Sequence, residues 1–221
     1  MLISLCTPCM NRLDDLIATL PKKIGATIES PPVEIVVVDY NSRDGLGEYA
    51  HSSLFTYRKY TGRDTYSAAH ANNLAMMAGS GEYVVLVPAD VYLEDGYLSS
   101  LRDRINQGAV WCNTAKKHRS TIAILKTEFV AAGGYDERFE MYGPDDLDLI
   151  ERLERRGVQH GFIPDELVKD IYTSPEKKVA NYRLKGMDHK RLGQLSIPYY
   201  LENKAAGALV ANPGVEWGKW Q

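Results

Sequence analysis

Asp145 and Asp146 stand behind Gly143-Pro144 and ahead of Leu149, Ile150 and Leu153, and their types and spacing can do chemistry. Proline suits the first position of a helix because its missing N–H would be unpaired there anyway, so the run predicts a helix opening at Pro144. The helix dipole favours negative charge in the first turn, and the apolar residues recur at helical spacing. Two carboxylates are thereby held at the exposed end of a packed helix, where a carboxylate can take a proton from a reacting hydroxyl. Asp148 with Arg152, and Glu151 with Arg155, lie one turn apart and are expected to pair on the other face as surface support. Taken alone, the stretch also reads as a well-started amphipathic helix.

Two further acids lie at the ends of apolar runs. Glu34-Ile35-Val36-Val37-Val38-Asp39 reads as a strand buried on both faces, as its β-branched run suggests. It feeds the polar loop Asp39-Tyr40-Asn41-Ser42-Arg43-Asp44-Gly45, at the edge where open α/β sheets bind ligands, and a nucleotide is the natural candidate. By composition that loop is a good turn; an EF-hand is excluded because the Glu at the twelfth position and the flanking helices are missing. A second run, Tyr83 to Val87, delivers Pro88-Ala89-Asp90 to the same edge.

The elements that must position these acids alternate. Leu2 to Cys6 reads as a buried strand leading into a Thr7-Pro8 loop, with a helix from about Arg12 to Leu20. Ser30-Pro31-Pro32 breaks the chain, Phe55 to Tyr60 is a third strand, and Ser67, a candidate cap, opens a helix to Ala78. A helix over Gly96 to Ile105 follows, with Glu94 and Asp95 at its start. Strands at Val110 to Asn113 and Thr121 to Leu125 are separated by Lys116-Lys117-His118-Arg119, a solvated basic loop or a phosphate-holding hairpin. Val158 to Ile163 is an outer strand, and Leu167 to Tyr172 fits no single element. Glu176 to Leu192 is strongly basic and reads as a helix or lid. The tail carries Tyr199, Tyr200, Trp217 and Trp220, which either cover a cleft, contact a partner or pack the C-terminus.

With 221 residues, 44% hydrophobic and 25% charged, the chain supports one α/β domain. A formal net charge of −3 argues against a surface built to wrap nucleic acid. Three cysteines exclude a complete disulfide framework, and Cys6-Thr7-Pro8-Cys9 lacks the second pair of a zinc site; buried free thiols in a reducing, cytoplasmic setting fit best. No window reaches the ~18 apolar residues of a membrane span.

The stretch Gly133-Gly134-Tyr135-Asp136-Glu137, followed by Gly143-Pro144-Asp145-Asp146-Leu147-Asp148-Leu149 and Arg152-Leu153, resembles the Gly-Gly-Phe-Asp-Glu … Gly-x-Glu-Asp-x-Asp-Leu … Arg-Leu segment of GT-A glycosyltransferases, especially family 2 and the galactosyltransferase-like families. The Asp39 loop resembles that family's Val-Asp-Asp-Gly-Ser-x-Asp-Gly, Asn73 to Tyr83 matches in part its Ala-Arg-Asn-x-Gly-x-x-x-Ala-x-Gly-Glu-Tyr, and Asp90 holds the second place of its Asp-x-Asp. The resemblance covers residues 2 to 155. It implies a Rossmann-like, mostly parallel central sheet flanked by helices, a catalytic domain over 1–175, and a helical and aromatic extension over 176–221 on the lid or acceptor side.

The same resemblance implies transfer of a sugar from a nucleoside diphosphate sugar, with UDP first in line, to a hydroxyl on a glycan, lipid-linked intermediate, protein or nucleobase. It makes Asp146 the general base of an inverting reaction, with Asp145 in place of the usual Glu. Asp39 would hold the nucleobase, Thr7, Pro8, Arg12 and Asn41 would line base and ribose, and Asn73 would keep the Asn place. Asp90 would ligate Mn²⁺ or Mg²⁺, and His189 would be a late third ligand. Two departures stand out: Pro88 replaces the first metal-binding Asp, and Asn72 replaces an Arg, for which Arg63 or His70 could substitute. A nucleotide-sugar binder that has lost catalysis is the alternative, and a nucleotidyltransferase a third.

Overall fold

The computed structural model describes residues 1–115 and 120–220; the basic hairpin of residues 116–119 lies outside them. Its centre is a seven-stranded sheet of β3 (Thr56–Tyr60), β2 (Val33–Tyr40), β1 (Ile3–Cys9), β4 (Tyr83–Leu86), β7 (Ala123–Leu125), β6 (Trp111–Thr114) and β8 (His160–Ile163), in that spatial order. Only β7 runs against its neighbours; β1 pairs in parallel with both β2 and β4, and β6 with β8. This is the expected mostly parallel α/β architecture.

The continuous apolar strands are explained by cover on both faces. Leu5, Ile35, Val37 and Val85 pack with Leu16 and Leu20 of α1 (Leu13–Glu29) and Leu98 and Leu101 of α4 (Tyr97–Asn106). Val36, Val38, Val84 and Leu86, one residue out of phase, pack with Leu74 of α3 (Ala68–Ala78), Phe129 of α5 (Lys126–Ala131) and Leu149 and Leu153 of α6 (Asp145–Arg155). All three cysteines are buried and unpaired.

Several boundaries differ from expectation for physical reasons. Thr7 and Pro8 belong to β1, where they stay in parallel register with Val37 and Val38, so they are not loop residues. Helix α1 continues through Pro21 to Glu29 because Lys23 and Ala26 extend its buried face. Ser67 occupies the N-cap place of α3, but its hydroxyl makes no capping bond. The stretch 167–172 resolves into β9 (Val168–Asp170), antiparallel to β5 (Val91–Leu93), a pairing between segments far apart in sequence. After α7 (Pro175–Val179), the chain forms α8 (His189–Ala205), capped by Asp188, whose carboxylate accepts from the Arg191 N–H.

Helix α8 packs against α6. Tyr200 and Lys204 both donate to Glu151, and Asn203 donates to Asp148. Gly143 has no room for a side chain, since a Cβ there would sit 2.4 Å from that of Ser196. The tail aromatics pack the C-terminus: Trp217 stacks edge-on to Phe129 at 5.7 Å and Trp220 to Tyr60 at 6.5 Å. Among the described residues, no helix is long and apolar enough to cross a membrane.

Candidate active site

A cavity of about 290 Å³ opens at the carboxyl ends of β1 and β4, lined by Pro8, Arg12, Asn72, Asp90, Asp145, Asp146, Tyr182 and, from α7, Lys177 and Lys178. Strand β4 ends at Leu86, and the next residue stays tied to β1 through Val87 N–H to Cys6 O at 2.9 Å, so Asp90 emerges beside the end of β1. The β5–β9 pairing then brings Thr173 to it, with Ile171 N–H donating to the Asp90 carbonyl at 2.8 Å.

Helix α6 supplies the opposing acids. Pro144 is the N-cap and not the first helical residue, which makes Asp145 the first; the Asp148 N–H returns to Pro144 O at 2.9 Å. Burial, then the neighbouring Asp146 charge, holds the Asp145 carboxyl well above the usual carboxylate range. Burial pushes Asp146 up to about 6, and the Tyr135 hydroxyl beside it pulls the other way. Neither that hydroxyl nor Asp146 Oδ1 reaches hydrogen-bonding geometry with a described residue. Two adjacent carboxyls whose proton affinities are both raised do not ionise together as free ones would, so the first to lose its proton makes the other hold its own.

Facing them, Arg12 Nη2 lies 2.7 Å from Asp90 Oδ2 and 3.1 Å from Thr173 Oγ1. Arg12 Nε contacts Asp15 at 2.5 Å, an ion pair whose angle falls short of a hydrogen bond, and the other Asp15 oxygen accepts from Lys177 Nζ at 2.8 Å. Thr173 also donates to Asp90 Oδ2 at 3.1 Å. Beneath, the buried Lys23 Nζ donates to Pro88 O at 3.2 Å and Thr7 Oγ1 at 3.4 Å, and burial pulls its pKa down to about 7.

Of the residues expected from sequence, Asp145, Asp146, Asp90, Arg12 and Pro8 meet at this cavity. Four others turn elsewhere. Asp39 is 1% exposed, with Oδ1 accepting from the Ser42 N–H at 2.7 Å and Oδ2 from the Tyr57 hydroxyl at 2.6 Å, so it stabilises its own loop. Thr7 donates to Val87 O at 2.8 Å inside the sheet. Asn41, in the left-handed region, donates to Arg63 O and Asp64. Asn73 is fully buried; it exchanges hydrogen bonds with the Tyr135 backbone and donates to Glu137, which fixes the glycine-pair loop. His70, a possible substitute for the missing Arg, is buried, and its Nδ1 meets the Tyr40 hydroxyl at 2.7 Å.

Asp148 and Arg152, expected at the surface, form a buried pair at 2.8 Å. Sequence reasoning also missed Asp15 and Thr173, because their role depends on non-local pairing. Lys177 and Lys178 carried a signal in the charge of their segment.

The expected metal site does not assemble. Pro88 offers no carboxylate, His189 does not line the cavity, and the described residues hold no group of three or more His, Cys, Asp or Glu side chains suited to a metal. The remaining ligand, Asp90, is already bound to a guanidinium. A dication ~4 Å from that guanidinium would be repelled by roughly 8 kcal/mol, twice the value for two unit charges at an effective dielectric constant of ~20. As arranged, these residues do not fit a resident Mn²⁺ or Mg²⁺.

The sequence pattern of Glycosyl transferase family 2 matches residues 4–158. No curated protein matches the chain in sequence. Among solved structures, a mannosyltransferase from Pyrobaculum calidifontis in complex with GDP-Man and Mn²⁺ superimposes with a TM-score of 0.59 at 20% identity, over 74% of this chain and 55% of that one. TarS 1–349 of S. aureus in complex with UDP-GlcNAc gives 0.63 at 15% identity, over 93% and 73%. Drosophila β1,4-galactosyltransferase 7, as a mutant with manganese, UDP-Gal and xylobiose, gives 0.57 at 12% identity, over 86% and 78%. The chain thus spans about half the length of the mannosyltransferase, and these likenesses concern the fold.

Proposed function

Because the chain belongs to glycosyl transferase family 2, we propose that it moves a sugar from a nucleoside diphosphate sugar, a UDP-sugar first, to a hydroxyl acceptor with inversion at the anomeric carbon. The observation that carries this reading is the pair Asp145 and Asp146, with raised proton affinities, across one cavity from a cluster of cations.

Asp146 is the general base. Its carboxylate takes the acceptor O–H proton as the acceptor oxygen bonds to the anomeric carbon; the bond from that carbon to the diphosphate oxygen breaks, and its electron pair leaves on the diphosphate. Attack from the side of Asp146 and departure toward Arg12 place the two events on opposite faces of the sugar, which inverts the centre. Asp145, kept protonated, donates to the acceptor or to the transferring sugar. General-base help of this type contributes ~10²–10⁴-fold in rate. The uridine reading follows the donors of the S. aureus and Drosophila proteins; the guanosine of the mannosyltransferase is the competing outcome.

Thermal-shift titration with UDP-, GDP- and TDP-sugars identifies the donor, and release of free nucleoside diphosphate measures turnover. Asp146→Asn is expected to keep donor binding and lose at least ~10²-fold in turnover. Undiminished turnover would remove Asp146 from the role. Donor binding without turnover in the unaltered chain, across a panel of hydroxyl acceptors, would favour a nucleotide-sugar binder instead.

A further inference from the structure

The place beside Asp90 is taken by a side chain. Arg12 is held from three directions, by Asp90 at 2.7 Å, by Asp15 at 2.5 Å, and by its Nη1 to Lys177 O at 3.4 Å. Its side chain is 15% exposed, so the guanidinium is fixed at the cavity wall and still reachable. Lys177 is brought to the same wall by its own bond to Asp15, and Lys178 lines the cavity from the exposed side of α7. Three cations therefore line a cavity whose acids are Asp90, Asp145 and Asp146.

We infer that the donor diphosphate is held by Arg12, Lys177 and Lys178 with no divalent metal, Asp90 serving to position the guanidinium. The inference rests on the glycosyl-transfer reading and concerns how that same site neutralises its leaving group. With Nη2 given to Asp90 and Thr173, Nε to Asp15 and one Nη1 proton to Lys177 O, Arg12 meets the phosphates with its remaining Nη1 N–H and with a charge that stays at every accessible pH. The charge that arrives on the leaving diphosphate oxygen is then met by N–H donors already in place, a preorganised arrangement of the kind that stabilises a transition state. Pro88 fits the same scheme: a second carboxylate at that turn would compete with the phosphates for Arg12. Lys23, whose ammonium or amine bonds to Pro88 O, fixes the turn without entering the cavity.

Calorimetric titration of the full chain with UDP and with GDP, once in excess EDTA and once in excess Mn²⁺, tests this. The expected result is an affinity for the preferred nucleotide that differs by less than about threefold between the two conditions, with sugar transfer retained in EDTA. Arg12→Gln should weaken binding by about tenfold or more, and Lys178→Gln, an exposed change that leaves the fold alone, by a smaller factor that shrinks at high salt. Tightening of more than tenfold by Mn²⁺, or indifference of binding to both substitutions, would overturn the inference and leave the donor assignment standing. Failure of UDP and GDP to bind under either condition would overturn both.

Discussion

The Arg152 guanidinium lies 2.8 Å from the Asp148 carboxylate, with neither side chain more than 1% exposed. The same guanidinium donates to Ala132 O and Gly134 O at 2.7 Å each, and the second Asp148 oxygen accepts from Asn203 at 2.8 Å. One buried pair therefore ties α6 to the glycine loop and to α8, and so sets the direction in which Asp145 and Asp146 project. Arg152→Met would leave a buried charge and two carbonyls unpaired, a loss of roughly 3–5 kcal/mol. At ~2–4 °C per kcal/mol for a chain of this size, the melting temperature should fall by about 10 °C. Differential scanning calorimetry reads this directly; a drop under about 3 °C would mean the pair contributes only volume.

Gly134 is needed where it stands. At φ +64° a Cβ would lie 2.5 Å from the Trp217 ring and 2.6 Å from Asn73 Oδ1. Gly134→Ala should cost roughly 2–4 kcal/mol from left-handed strain and overlap together. Adding Trp217→Leu removes the ring overlap and should restore that part of the steric share, measured by equilibrium urea unfolding. No restoration would place the whole effect in the backbone and the Asn73 overlap.

Lys23 is a buried amine whose pKa falls to about 7 because burial disfavours its charge. Below pH 7 the folded chain carries that buried charge in full; between pH 7 and about 10.5 the unfolded chain binds the extra proton, so stability rises with pH. Lys23→Met should therefore stabilise most below pH 7, by at most about 5 kcal/mol before its lost hydrogen bonds are subtracted. The gain should fade toward pH 10.5. Urea midpoints across that range check the sign, and a gain that grows with pH would contradict it.

The sheet was legible because its strands are unbroken apolar runs, as in Val36-Val37-Val38 and Tyr83-Val84-Val85-Leu86. The cavity acids were legible because Asp90 follows such a strand and Asp145-Asp146 follow a Gly-Pro step. What stayed hidden depended on partners distant in sequence. Asp39 looks like a ligand residue until Tyr57 on the next strand occupies it. Asp148 and Arg152 look like a surface pair until α8 and the glycine loop cover them. Arg12 looks like a nucleotide contact, and only the β5–β9 pairing, which carries Thr173 to Asp90, reveals the enclosed ion pair it completes.

Asp145 and Asp146 differ in when they release protons, and this makes the pair testable by pH. Asp146 is pushed up to about 6, chiefly by burial, while burial and the Asp146 charge hold Asp145 well above the usual carboxylate range. A base must be ionised to work, so turnover should rise with pH through a midpoint near 6 and level off above it, as long as Asp145 stays protonated. For stability the sign is opposite. Each raised carboxyl makes the folded chain bind more protons than the unfolded one above about pH 4, so stability falls as pH climbs from there to the folded-state value. Asp145→Asn copies the neutral acid. It should leave the turnover midpoint near 6 and raise the melting temperature by an amount that is near zero at pH 4 and grows toward pH 8. Asp146→Asn should abolish the midpoint instead. Swapped outcomes, with the midpoint lost in Asp145→Asn and kept in Asp146→Asn, would exchange the two roles.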